Sequence, residues 1–225
     1  MKYDLLLCDA DKTLFDFDRA EEEALSALFT LFRLKREWIP TYVRINAACW
    51  AALERGETTQ SRLKVERFRL FLEETGQDPS LAGAMDESYT RLLGEQRFLL
   101  PGAEDFCRQI SRHMGLWLVT NGVAAIQHNR FENSLLAPYL SGIAISEEIG
   151  AAKPDPRMIF AVLEKTGVPA SRVILMGDSL TADIAAARNA GIPSILFAPQ
   201  GSRAAEPTYI VSNYGEAEKI ILGLS

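Results

Sequence analysis

Four short runs in this chain are apolar without interruption: "YDLLLCD" (3–9), "GLWLVT" (115–120), "RVILMGD" (172–178) and "PSILFA" (193–198). A strand with one face in water alternates apolar and polar residues, whereas a strand covered on both faces need not. Such runs point to a parallel sheet held between two layers of helices. "GIAIS" (142–146) and "TYIVS" (208–212) are weaker candidates for further strands. Helical patterns lie between the runs. "AEDFCRQISRH" follows Pro101 and Gly102, and "PRMIFAVLEKTG" starts near Pro156 and stops at Gly167. "SLTADIAAARNAG" opens on Ser179, a good N-cap, and closes at Gly191. Strands alternating with helices of this length predict a doubly wound, Rossmann-like α/β core.

Residues 16–98 break the alternation. "AEEEALSALFTLFRLKREW" and "TTQSRLKVERFRLFLEETG" carry apolar residues at helical spacing, with "PTYVRINAACWAALERG" between them and "SLAGAMDESYTRLLG" after. About four helices are expected and no strand. The predicted organisation is an α/β core from 1–15 and 99–225, interrupted by an all-helical domain at 16–98. "QRFLLPGAEDF" reads as the return linker.

The totals narrow the function. A net charge of -6 over 225 residues does not attract a nucleic acid polymer or an anionic membrane as a whole. No apolar run reaches the length of a membrane span. Cys8, Cys49 and Cys107 are odd in number and widely spaced, which fits reduced thiols in a cytoplasmic protein better than disulfides or a zinc site. A small-molecule ligand and a monomer or small homo-oligomer are the expectation. His113 and His128 read as surface or helix-end residues.

Ligands of an open parallel sheet bind beyond the carboxyl ends of its strands. Asp9 and Asp11 follow the first run. Thr120, Asn121 and Gly122 follow the second, Lys153 and Pro154 lie past "GIAIS", and Asp178 and Ser179 follow "RVILMG", with Asp183 one turn on. Carboxylates packed together repel, and a hard divalent cation resolves that repulsion. Magnesium is the expected ion, held by Asp9 and Asp178, with manganese a possible substitute. Lys153 reads as a free cation able to hold a phosphate oxygen. Thr120 and the amides after it could hold another, aided by a helix N-terminus. An aspartate can attack phosphorus, and a second carboxyl can protonate the leaving alcohol and then activate water. The i, i+2 spacing of Asp9 and Asp11 points both the same way.

"DADKT" (9–13), "VTNG" (119–122), "AAKPDP" (151–156) and "MGDSLTADI" (176–184) together resemble the haloacid dehalogenase superfamily, specifically its phosphatases with a helical cap. The resemblance implies Asp9 as nucleophile and Asp11 as general acid/base, with the Asp11 backbone carbonyl on the metal. It implies Thr120 and Lys153 as phosphate ligands with the Asn121 amide, Asp178 as metal ligand, and Asp183 as support. Asp11 argues for phosphoryl transfer, because the family's dehalogenases lack it. "DADKTLFDFDRAEEEAL", "LLPGAEDF", "TNGVAAIQHNR" and "ISEEIGAAKPDPRMIF" are similar to bacterial pyrimidine 5′-nucleotidases of this superfamily, which remove phosphate from nucleoside monophosphates, unusual pyrimidine ones included. Lys12 departs from the Gly or Glu common at its position. The alternatives are a phosphatase for small sugar phosphates or phosphoglycolate, and a non-catalytic binding protein on the same scaffold.

The helical domain would then exclude water and choose the leaving group. Phe15 and Phe17 either flank the substrate or pack beneath the cap, with packing the stronger reading. Arg33, Lys35, Arg36 and Arg44 read as a solvated helix face, and Trp50 is ambiguous.

Overall fold

A computed structural model describes residues 2–224. Six strands form one sheet: β1 (Leu5–Cys8), β2 (Gly115–Thr120), β3 (Gly142–Ile145), β4 (Val173–Gly177), β5 (Ser194–Phe197) and β6 (Tyr209–Val211). All neighbours are parallel, and the order is β3-β2-β1-β4-β5-β6. The six segments expected as strands are the six observed.

Successive side chains of a strand point to opposite faces, and here both faces are covered. Leu6, Cys8, Leu116, Leu118, Ile174 and Met176 pack with Phe106, Ile110, Ala217 and Ile221 on one face. Those partners lie on α5 (Ala103–Ser111) and α10 (Tyr214–Leu222). Leu5, Leu7, Trp117, Val119 and Leu175 pack on the other with Met158, Val162 and Ala186. Those belong to α8 (Arg157–Thr166), which follows the single turn α7 (Ser146–Ile149), and α9 (Ala185–Asn189). Double coverage is the physical reason the runs are uninterrupted.

Between β1 and α5 come α1 (Phe17–Leu31), α2 (Ile39–Glu54), α3 (Gln60–Glu74) and α4 (Ala82–Gly94). Asp16 caps α1, its Oδ1 accepting from Arg19 N at 3.1 Å, and Thr59 caps α3. The four helices share an aromatic-rich core of Phe29, Tyr42, Phe68, Phe71 and Tyr89, which also takes in Val123 and Ile126. The last two lie outside the block: Ile126 is on α6 (Ala124–Glu132), and Val123 directly precedes it. The entry and exit of the block pair with each other, Asp16 N donating to Phe98 O at 2.9 Å and Leu100 N to Leu14 O at 2.9 Å. The basic residues Arg33, Lys35, Arg36 and Arg44 are exposed, and Arg44 pairs with Glu74.

One predicted helix has a different start. After Ser179 the chain makes a wide π turn over Leu180–Ile184 before α9 begins. The Ser179 hydroxyl accepts from Ala182 N, and Asp183 Oδ2 accepts from Ser179 N at 3.0 Å. The wider turn carries Asp183 back toward the strand ends, in keeping with the frequent use of π turns at functional sites.

Candidate active site

The strand order reverses between β1 and β4: the chain runs outward through β2 and β3, then returns to the other side of β1. The crevice of such a sheet opens at that reversal. Cys8 pairs with Met176, so Asp9 and Asp178 leave adjacent strands side by side. The carboxylate oxygens of Asp9, Asp178 and Asp183 lie within 4.8 Å of one another. Gly177 makes this approach possible, because a Cβ there would collide with the Asp183 carboxyl.

This clustering is electrostatically costly. Burial, with the charges of Asp183 and Asp178 behind it, holds the Asp9 carboxyl well above its ordinary range, against the opposing pull of Lys153. Burial and then Asp183 push Asp178 up to about 6. Three carboxylates crowded together, with Asp9 and Asp178 held above their ordinary range, are a donor set suited to a hard divalent cation.

Lys153 enters from the loop before α8 and is fully buried. Its Nζ donates to Asp9 Oδ1 at 2.6 Å, Asp183 Oδ1 at 2.6 Å and Val119 O at 2.7 Å. Burial alone would lower its proton affinity, but the two carboxylates overcome that and keep it charged. The expectation of a free cation is therefore corrected: an ammonium has three protons, and all three are engaged. Lys153 meets a ligand only by sharing those bonds. The Asn121 side chain fixes its backbone, accepting from Lys153 N at 2.7 Å and donating to Lys153 O at 2.8 Å.

Thr120 ends β2 with its hydroxyl buried, accepting from Gly122 N at 3.1 Å. Asp11 stands across from it, a quarter exposed. Its Oδ1 accepts from Arg130 Nη1 at 2.6 Å and its Oδ2 from Gln127 Nε2 at 3.0 Å. Gln127 Nε2 also reaches Thr120 Oγ1 at 2.9 Å. Gln127 and Arg130 fall within "TNGVAAIQHNR", but the sequence alone gives neither a role. Their spacing, three apart on a single helix, is the signal that they share a face.

A cavity of about 300 Å³ covers these groups. Asp9, Asp11, Thr120, Asn121, Lys153, Asp178 and Asp183 line its floor, while Phe17, Asn46, Trp50, Arg67 and Tyr89 line it from the helical block. Phe15 is not among the lining residues. The backbone turn that pairs Asp11 with Phe15 folds this ring into the core, fully buried 5.1 Å from Phe131. Arg67 and Asn46 were also missed by the sequence reading. Arg67 is 2% exposed and donates to Lys64 O, Asn46 Oδ1 and Asp86 Oδ1. Polar links tie the block to the core. Gln60 donates to Asn121 O and Gly122 O, Lys64 pairs with Glu147, and Thr181 donates to Glu54.

The haloacid dehalogenase-like hydrolase family model matches residues 3–191. The chain belongs to this family. Among such hydrolases it is 35% identical to the pyrimidine 5′-nucleotidase PynA of Streptococcus pneumoniae, over 95% of this chain and 93% of that protein. It is 31% identical to the pyrimidine 5′-nucleotidase YjjG of Escherichia coli, over 98% of this chain and 99% of that one. The crystal structure of the HAD-hydrolase YfnB of Bacillus subtilis, bound to magnesium, superposes with a TM-score of 0.90 at 31% identity, covering 99% of this chain and 100% of that one. This haloacid dehalogenase-like hydrolase thus matches YfnB across both its sheet and its helical insert.

Proposed function

We propose that this hydrolase is a magnesium-dependent 5′-nucleotidase that takes pyrimidine nucleoside monophosphates through an aspartyl-phosphate on Asp9. The observation that carries the reading is the meeting of Asp11, Thr120 and Lys153 with the Asp9, Asp178 and Asp183 carboxylates, under a helical cover. Asp9 attacks phosphorus in line, and the bond from phosphorus to the leaving oxygen breaks. Asp11 gives that oxygen its proton, releasing the alcohol. Water then attacks the aspartyl-phosphate, Asp11 takes a proton from it, and phosphate leaves as the Asp9 carboxylate re-forms.

Asp9, Asp178 and the Asp11 backbone carbonyl would hold the ion, with Asp183 in support. When bound, magnesium neutralises charge on the phosphoryl group and offsets the repulsion among the carboxylates. Thr120 and the Asn121 amide orient phosphate oxygens, and Lys153 shares its protons between them and its carboxylates. Residues 1–15 and 99–225 form the catalytic domain in this reading, and 16–98 the cap.

The names of PynA and YjjG support the pyrimidine preference, and so does the cavity. About 300 Å³ is at the small end for ligand pockets. Arg67 has five N–H groups and makes three hydrogen bonds among the described residues, so it keeps donors for a ring carbonyl. Cys8, Cys49 and Cys107 are free thiols, which fits a reducing, cytoplasmic setting. Phosphate release with magnesium from dUMP, UMP, dTMP, AMP, phosphoglycolate and glucose 6-phosphate tests the reading, with Asp9→Asn as control. Preference for the pyrimidine monophosphates supports it. A flat profile or a preferred sugar phosphate removes the substrate assignment, and substantial turnover by Asp9→Asn removes the nucleophile.

A further inference from the structure

We infer that Gln127 and Arg130 are positioning residues that hold Asp11, through both of its carboxylate oxygens, at the place where proton transfer occurs. The inference rests on the assignment of Asp11 as general acid/base and extends it to two residues outside the acid motifs.

Three observations carry it. First, the contact is two-sided: Arg130 takes Oδ1 at 2.6 Å and Gln127 takes Oδ2 at 3.0 Å, so the carboxylate plane is fixed as well as its position. Second, the arrangement does not serve Arg130 itself. The residue has no exposure, and its Nη2 has no hydrogen-bond partner among the described residues. A buried guanidinium with an unmet donor costs stability, and its close carboxylate partner is the one at the site. Third, the backbone is built to admit Gln127. A Cβ on Gly122 would run into the Gln127 side chain. The glycine after Thr120 and Asn121 therefore makes room for this amide, which then joins Asp11 to the Thr120 hydroxyl. The clamp also reaches the exit of the helical block, since Arg130 Nε donates to Gln96 O at 3.1 Å.

An acid that is present but misplaced fails where a proton is needed and succeeds where it is not. An alkyl leaving group needs the proton, and p-nitrophenolate does not. The test compares steady-state turnover of the best alkyl phosphate of the panel with the pre-steady-state burst of nitrophenolate from p-nitrophenyl phosphate. The variants are Arg130→Met, Arg130→Lys, Gln127→Met and, as reference, Asp11→Asn. Displacement of a catalytic group by about an ångström costs on the order of 10²-fold. Arg130→Met and Gln127→Met are expected to lose about 10- to 100-fold in kcat on the alkyl phosphate, on the scale of general acid catalysis. KM and the burst rate should stay within about threefold, and Arg130→Lys should recover part of the loss. Equal losses in burst and steady state, or no loss in either, would overturn the clamp. Gln127→Met gives the answer by itself if Arg130→Met does not fold. An Asp11→Asn enzyme that treats both substrates alike would instead remove the acid assignment, a result separate from failure of the clamp.

Discussion

Replacing Asp178 with Asn should stabilise the metal-free protein while abolishing its response to magnesium. Asp178 sits beside Asp9 and Asp183, and its carboxyl is pushed up to about 6, by burial first and Asp183 second. The gap from an ordinary value near 4 corresponds to roughly 3 kcal/mol of disfavour for the charged form. Asp178 is partly exposed, so solvent screening reduces this to about 1–2 kcal/mol. For a chain of this size each kcal/mol moves Tm by about 2–4 °C, so Asp178→Asn should melt about 2–8 °C higher in EDTA at pH 7.5. The sign with pH follows from linkage. A carboxyl whose folded value is raised is charged and unfavourable above about 6, and the folded protein takes up its proton before the unfolded chain does. The advantage of Asn should therefore shrink as pH falls from 6 toward 4. Magnesium at a hundred times its Kd should add about 2.7 kcal/mol to the wild type, or roughly 5–11 °C, and far less to the variant. Thermal unfolding by circular dichroism in EDTA and in magnesium, at pH 7.5 and 4.5, reads all of these. A variant that melts below the wild type in EDTA at pH 7.5, or that keeps the full magnesium shift, would refute the reasoning.

Lys153→Met should strand the Asp9 and Asp183 carboxylates, costing about 3–5 kcal/mol of stability in EDTA by denaturant titration, along with turnover. Lys12 has φ 65, a left-handed conformation that glycine adopts without the side-chain penalty of about 1–2 kcal/mol. Lys12→Gly should therefore raise Tm by a few degrees, less whatever the exposed Lys12–Asp18 pair contributes, and an unchanged or lower Tm would count against that account. Gly122→Ala should fold but displace Gln127, with turnover of alkyl phosphates falling at least tenfold while Tm stays within a few degrees.

The parts legible in the sequence are those decided by local pattern. Buried strands announce themselves by unbroken apolar runs, and Asp9, Thr120 and Asp178 are found because Asp9 and Asp178 directly follow a strand and Thr120 ends one. The helical insert shows in the spacing of its apolar residues. The rest depends on distance in space. Gln127 and Arg130 meet Asp11 from 116 and 119 residues away, and nothing in "AAIQHNRFE" says which carboxylate they will find. Arg67 sits in a segment with other arginines and lysines that look equally solvated, yet it alone is identified as turned into the aromatic core of the block, against Phe68 and Tyr89. The sequence shows Lys153 as a cation near acids, but the number of its acceptors is a property of the closed loop and not of the sequence. Phe15 and Phe17 are two residues apart, and only the turn that closes on Asp11 decides which joins the core and which the cavity.

The segment that begins at Thr120 and runs through α6 joins what the sequence keeps apart. Thr120 and Asn121 line the cavity floor, Gln127 and Arg130 hold Asp11, and Val123 and Ile126 belong to the packing of the helical block. Gln60, from the first turn of α3, donates to the carbonyls of Asn121 and Gly122, in the same few residues. Movement of the block therefore bears on the loop and on the clamp together. An alkyl leaving group that fits against Asn46 and Arg67 would hold the block in the position that keeps Gln127 on Asp11. A small phosphate ester that leaves the cap wall empty would lack that support. Under this coupling, truncating the leaving group should lower kcat as well as raise KM, because remote binding energy is then spent on placing the acid.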